Sequence, residues 1–230
     1  MTIAKQLLKF YQKIQSYPFD LPKDIKALQL YEGEVLNIIT DFFKKYYNDN
    51  HSRTLILGIN PGRKGAAITG IPFTDSDRLF KIMDKTYPIN HSYEPSADFF
   101  HTVVNGYGGA KKFYKSFLIS SVSPIGFIVK NQRDNWVNFN YYDRKELEEL
   151  CSKFIKEMME EQLKMNIKRD TAICLGKGKN YKRLQILNEQ NKWFERIVPI
   201  EHPRYIIQYK RKYKSKYVEK YLELLKKISE

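Results

Sequence analysis

The chain has 230 residues, enough for one ordinary domain with its own apolar core. It is 42% hydrophobic and 29% charged, which excludes a disordered chain, and no apolar run approaches the roughly 20 residues that cross a bilayer. Two lone cysteines, Cys151 and Cys174, exclude a disulfide scaffold and a four-cysteine metal site, while a net charge of +14 points to a polyanionic partner or to a lysine-rich solvated surface.

The opening stretch IAKQLLKFYQKIQS (3–16) has helical apolar spacing through Ile3, Leu7, Leu8, Tyr11 and Ile14. It is interrupted by lysines and carries no continuous leader core, so no secretory signal is expected. Pro18 and Pro22 break the chain, and residues 33–48 give a second amphipathic helix. TLILGIN (54–60) is a buried-strand pattern that runs straight into the turn-rich PGRKG. Helices are predicted at about 76–86 and 97–106. FLISSVS (117–123) is a second strand, stopped by Pro124, and residues 125–142 read as irregular or β-rich. Residues 143–166 give the clearest helix, with Asp143 and Glu146 spaced as a capping pair. TAICLG (171–176) and FERIVPI (194–200) are further strands, and a helix over about 211–227 closes the chain.

Strands separated by helices predict a parallel sheet covered on both faces, that is, a three-layer α/β/α sandwich around a central four-stranded, mainly parallel sheet. The expected organisation is one unit: helices in 1–50, an α/β core over 51–210 and a basic helix over 211–230. Ligands of such sheets bind beyond the carboxyl ends of the strands. That rule selects Asn60–Gly65, Ser121–Pro124, Gly176–Asn180 and Glu201–Arg204. In Gly58-Ile59-Asn60-Pro61-Gly62, Asn60 brings an amide to the sheet edge that can hold a water, and Gly62 permits a positive φ and close approach of a ligand. NPG is also ordinary turn chemistry. Phe73, in Thr69-Gly70-Ile71-Pro72-Phe73, can stack on a planar base or fill the core. His202, locked by Pro203, can donate to a developing anion or sit as a plain surface imidazole. Gly176-Lys177-Gly178-Lys179-Asn180 suits phosphates at a helix start or a solvated turn, and it is no Walker loop. Residues 162–230 carry 18 basic against 7 acidic side chains, and no acid falls between Glu201 and Glu219. Lys210, Arg211 and Lys212 in that stretch suit a phosphate backbone or a solvated helix face.

GINPGRKGAAITGIPF (58–73) resembles the first motif of the uracil-DNA glycosylase superfamily. It is most similar to the single-strand-selective monofunctional and mismatch-specific branches, which pair NPG with TG-x-PF at this spacing. His202-Pro203 resembles the second motif. The mismatch-specific branch usually has an asparagine-led motif there, so His202 favours the single-strand-selective branch. Two positions depart from it. Where the branch has an asparagine in F-x-x-x-N-x-x-P, this chain has Ser121 between Phe117 and Pro124. After His202-Pro203 it has Arg204-Tyr205-Ile206 in place of Ser-Pro. The departures fit a divergent second subfamily.

The resemblance implies a monofunctional DNA glycosylase that flips a damaged base and hydrolyses its N-glycosidic bond. Asn60 would position the water, Phe73 would stack on the base, and His202 would stabilise the departing anion. Ile59, Gly62 and Ser121 would contact the base, with Ser121 relaxing strict uracil specificity towards xanthine or hypoxanthine. Arg204, Lys210, Arg211 and Lys212 would hold DNA. No metal and no cofactor are expected, and the protein is expected to be a cytoplasmic monomer. The competing readings are a noncatalytic nucleic-acid-binding α/β protein, a nucleotide-binding hydrolase or transferase, and a mismatch-specific-type glycosylase.

Overall fold

A computed structural model describes residues 1–28 and 30–229. Helices α1 (Ile3–Gln15) and α2 (Gly33–Tyr46) pack together. Ile3, Leu7, Phe10 and Ile14 line the buried stripe of α1, and its first amides donate to the carbonyls of Tyr47 and Asp49 just past α2. Strand β1 (Ile25–Ala27) lies between them in sequence.

Strand β2 (Arg53–Gly58) follows, then the short helix α3 (Ala66–Thr69), α4 (Ser76–Met83), α5 (Pro95–Gly106) and α6 (Ala110–Ser116). Strand β3 (Phe117–Ser121) leads to the hairpin β4 (Phe127–Lys130) and β5 (Trp136–Phe139). Helix α7 (Lys145–Leu163), β6 (Ile167–Leu175), α8 (Lys179–Asn191) and β7 (Arg196–Ile200) complete the core. The chain ends with α9 (Pro203–Tyr209), a 3-10 turn at Arg211–Tyr213 and α10 (Lys214–Ser229).

The central sheet has the order β3-β2-β6-β7, with every pairing parallel. Every residue of β2 and β3 is buried, so both sheet faces are covered, as expected for a continuous apolar run in a parallel sheet. On one face Phe100 of α5 and Tyr221, Leu224 and Leu225 of α10 meet Ile56, Ile173 and Ile200. The register brings Gly58 beside Ser121 and Leu175 beside Ile200. Four strand ends therefore open on one edge of the sheet, where Asn60, Ser121, Gly176 and His202 follow. At the other end of β2, the fully buried Arg53 is held by both carboxylate oxygens of Asp49 and by the carbonyl of Tyr114.

A second, antiparallel sheet, β1-β4-β5, accounts for the stretch expected to be irregular or β-rich. It braces the loop after β2. A Cβ on Gly126 would lie 2.2 Å from the carbonyl oxygen of Pro61, so only glycine lets the two backbones approach so closely. Two local expectations fail. Helix α7 has Arg144 at its N-cap, with no side-chain cap, and Asp143 instead accepts from the amide of Asn140. That carboxylate closes the preceding turn and is not available to the helix. The closing helix also begins later than expected, because residues 211–213 form the 3-10 turn.

Candidate active site

Over the strand ends lies a cleft of about 330 Å³. Parallel pairing continues past β2 and β3: the amide of Val122 donates to Gly58 and that of Ser123 to Ile59. This fixes Ile59 and Ser121 at the cleft floor. The Asn60 amide nitrogen lies 3.4 Å from the carbonyls of Phe139 and Pro61, and its buried Oδ1 has no hydrogen-bond partner among the described residues. A buried acceptor left open in this way can take a hydrogen bond from a bound water or ligand. Gly62 has no positive φ, contrary to expectation. A Cβ there would make only ordinary contacts, at 3.4 Å from Asn138 and 3.8 Å from Glu94. The tight position is Gly65, where a Cβ would overlap the Glu94 carboxyl at 2.0 Å.

Phe73 holds a positive φ of 52°, a strained conformation for a bulky residue. The Thr69 hydroxyl, donating to the carbonyl of Thr74 at 2.7 Å, ties the turn that imposes it. The ring stacks on Phe100, with centroids 5.0 Å apart and 21° between planes, and lies 5.7 Å from the His202 ring. Phe73 thus packs on the core through Phe100 and also lines the cleft. Ser121 is buried and, among the described residues, its hydroxyl makes no hydrogen bond; it stands 3.4 Å from where a Gly58 Cβ would be.

His202 caps α9: its Nδ1 accepts from the amide of Arg204 at 3.1 Å. A neutral ring that accepts at Nδ1 carries its proton on Nε2, which makes that nitrogen a donor. Burial, aided by the Arg204 charge, lowers the pKa of His202 to about 4, so the ring is neutral at physiological pH. The exposed side of α9 brings Arg204, Tyr205, Gln208 and Tyr209 to the rim.

Other expected positions fall elsewhere. Lys210 lines a shallow groove shared with Glu201, Glu219 and Glu223, and Arg211 and Lys212 are exposed in the 3-10 turn; none of the three lines the cleft. Residues 176–180 are structural. Lys177 pairs with Glu201, and the Asn180 amide points inward, 3.4 Å from the carbonyls of Gly58 and Leu175.

Several lining residues carry no signal in the sequence, among them Glu94, Asn138 and Asn140. Asn138 accepts from the amide of Arg63, which fastens β5 to the loop after β2. Glu94 precedes α5, and its backbone amide donates to the buried Asp75 at 2.9 Å. Arg63, Lys64 and Arg204 line an adjoining groove of about 500 Å³ that shares Glu94 and Asn138 with the cleft. Among the described residues no three His, Cys, Asp or Glu side chains are placed to hold a metal ion.

A cleft with an aromatic wall, a neutral histidine and a cationic groove beside it can receive a planar polar ring attached to a phosphate chain. Similarity to known proteins identifies the class. The model of the uracil DNA glycosylase superfamily matches residues 44–226, and the chain belongs to that superfamily. It is 44% identical to Pedobacter heparinus SMUG2, whose wild-type crystal structure it matches with a TM-score of 0.95 over 99% of this chain and 98% of that one. No curated protein matches the chain. The protein is thus a hydrolase of the uracil-DNA glycosylase type that works on DNA in base excision repair, and its likeness to SMUG2 agrees with the divergent single-strand-selective subfamily expected from Ser121 and Arg204. No described helix is long and apolar enough to cross a membrane.

Proposed function

We propose that the protein removes uracil, and also the deaminated purines xanthine and hypoxanthine, by monofunctional hydrolysis of the N-glycosidic bond. The observation that carries this reading is the convergence on one cleft of the orphaned Asn60 acceptor, the Phe73 ring and the neutral His202 donor. A base within duplex DNA cannot reach such a cleft, so it enters flipped out or from a single strand. Phe73 stacks on it, pre-set by its own stacking on Phe100. The bond from C1′ to the base nitrogen breaks, its electron pair leaves with the base, and water oxygen bonds to C1′. Asn60 orients that water; an amide is too weak a base to do more. His202 Nε2–H donates to the base as it becomes an anion. A pre-set donor in a desolvated site stabilises such a transition state by about 2.7–4 kcal/mol.

Ser121 supports the broader base range. An asparagine amide offers a donor and an acceptor at fixed positions and strands one of them on a wrong base, whereas a hydroxyl rotates to suit and leaves more space. No lysine lines the cleft among the described residues, which supports hydrolysis without a Schiff base. Arg204 binds the phosphates beside the flipped nucleotide, and Lys210, Arg211 and Lys212 extend that path. The protein is read as a monomer of the bacterial cytoplasm, where its two free, buried cysteines stay reduced.

The test is base release from oligonucleotides carrying uracil, xanthine, hypoxanthine or a T/G pair, in EDTA, with strands analysed before and after alkali. Release of uracil and at least one deaminated purine, with strand breakage only after alkali, is the expected result. DNA binding without release of any base would overturn the reading.

A further inference from the structure

The cleft holds one acid among its described lining residues, Glu94, and neither stacking, water orientation nor anion stabilisation gives it a task. We propose that Glu94 is the general base of the reaction: its carboxylate takes the proton of the attacking water that Asn60 orients. The inference rests on the glycosylase reading and deepens it.

Hydrolysis forms a bond from water oxygen to C1′ and breaks the bond from C1′ to the base; the water must then lose a proton. Asn60 cannot accept one near neutral pH. His202 cannot either, because its Nδ1 already accepts from Arg204 and its Nε2 is the donor that faces the base. Ser121 is a hydroxyl. Glu94 alone among the described lining residues can take the proton.

Its placement suits the task. The carboxyl lies against the very loop that carries Asn60. A Cβ on Gly65 would lie 2.0 Å from its Oε2, and one on Gly62 would lie 3.8 Å from its Oε1. Glycine at 65 is what leaves the carboxyl its room. The backbone that carries it is rigid: Glu94 stands at the N-cap of α5, with Pro95 next, and its amide is held by Asp75, which is fully buried and paired with Arg78. Yet among the described residues the carboxyl itself accepts no hydrogen bond and forms no ion pair. A half-buried carboxyl without a partner needs a donor, and water is the donor this reaction brings.

Electrostatics agrees. Burial and, after it, the Asp75 carboxylate raise the pKa of Glu94 to about 7, against the opposing pull of Arg204. Arg63 and Lys64 line the adjoining groove together with it, and His202 in the cleft is neutral. A base that titrates near the working pH combines useful strength with a useful ionised fraction.

Single-turnover release of uracil, with enzyme in excess, tests this over pH 5.5–9 for wild type, Glu94→Gln and Glu94→Asp. Wild type should gain roughly tenfold between pH 6 and 8 as the carboxyl ionises at about 7. Glu94→Gln should lose about 10²-fold or more at pH 8 and become flat with pH, while binding DNA at least as tightly. Glu94→Asp should recover part of the rate together with the pH dependence. A Glu94→Gln rate near wild type, or a loss confined to DNA affinity, overturns the assignment. Should the glutamine variant fail to fold, the wild-type profile decides: a flat rate between pH 6 and 8 overturns it and a rise through about 7 sustains it. Wild type that releases no base at all would instead overturn the glycosylase reading.

Discussion

On the proposed mechanism His202 has two tasks, and one substitution separates them. Its Nδ1 caps α9 by accepting from the Arg204 amide at 3.1 Å, and its Nε2–H is free to meet the base. His202→Ala removes both. The cap should cost about 1 kcal/mol, which in a chain of this length lowers Tm by about 2–4 °C. The lost donor should slow single-turnover release by about 10²–10³. His202→Asn keeps an oxygen that caps well but is too short to place a donor where Nε2 stood. Its Tm should therefore stay within a degree or so of wild type while its rate falls as far as that of the alanine variant. The assay is pre-steady-state release from a uracil oligonucleotide, paired with thermal melts. A His202→Asn variant with the wild-type rate would reduce His202 to a helix cap. Because the ring titrates only at about 4, no loss of rate from its protonation is expected between pH 6 and 8. Below that range protonation of Nδ1 sacrifices the cap.

Asn60→Ala should cut single-turnover release by about 10²–10³ and leave DNA affinity nearly unchanged, because it removes a group that matters as the water attacks; near wild-type rates would remove Asn60 from the mechanism. Ser121→Asn should shift the ratio of uracil to xanthine and hypoxanthine release towards uracil, and an unchanged ratio would leave Ser121 as packing. Replacing Lys210, Arg211 and Lys212 together by alanine should flatten the log–log salt dependence of DNA binding by about 0.7–0.9 for each phosphate no longer neutralised, whereas an unchanged slope would place the DNA path elsewhere. Glu94 is protonated more readily folded than unfolded, since its folded pKa of about 7 lies above the ordinary glutamate value of 4.5. It therefore withdraws stability as pH rises from 4.5 through 7, and the Tm advantage of Glu94→Gln over wild type should grow between pH 5 and pH 8; a constant difference would mean the carboxyl is fully solvated.

Strands β2, β3 and β6 were legible because a strand buried on both faces needs an unbroken apolar run, as in TLIL and TAICL, and the partly exposed β7 was legible from its apolar Ile197, Val198 and Ile200. The order of their ends then pointed to Asn60, Ser121 and His202, which all follow such runs. The small sheet was not legible as strands. Its members have three or four residues, and Lys26, Lys130 and Asn138 expose part of each, so neither a buried run nor a long alternation develops. Helix α9 was hidden by its own start, because His202-Pro203 after an apolar strand reads as a turn. Glu94 could not be found by spacing. It reaches the cleft from a helix start 34 positions past Asn60, and only the packing of α5 against the loop after β2 makes them neighbours. Its local signal, Glu-Pro-Ser, announced a helix start and nothing of the cleft. Gly62 shows the reverse error, since a motif suggested a special backbone angle that the chain does not use there.

The charge of the protein and the neutrality of its cleft floor belong to one design. The uncleaved base is neutral and becomes an anion only as the bond to C1′ breaks. A permanent cation under it would bind the phosphates of any DNA as readily as the transition state, and uniform binding accelerates nothing. Asn60, Ser121 and His202 instead line the cleft with an amide, a hydroxyl and an imidazole kept uncharged by burial. On the proposed mechanism their dipoles gain most when charge appears on the base. On the proposed reading, attraction to undamaged DNA falls to cations outside the floor: Arg204 at the rim, Arg63 and Lys64 in the groove, and the lysines beyond α9. Solvent and salt reach those positions. Added salt should therefore weaken DNA affinity steeply while leaving the rate of base release from fully bound DNA almost unchanged. A release rate that fell in step with affinity would mean that a solvent-screened cation, and not the neutral floor, stabilises the departing base.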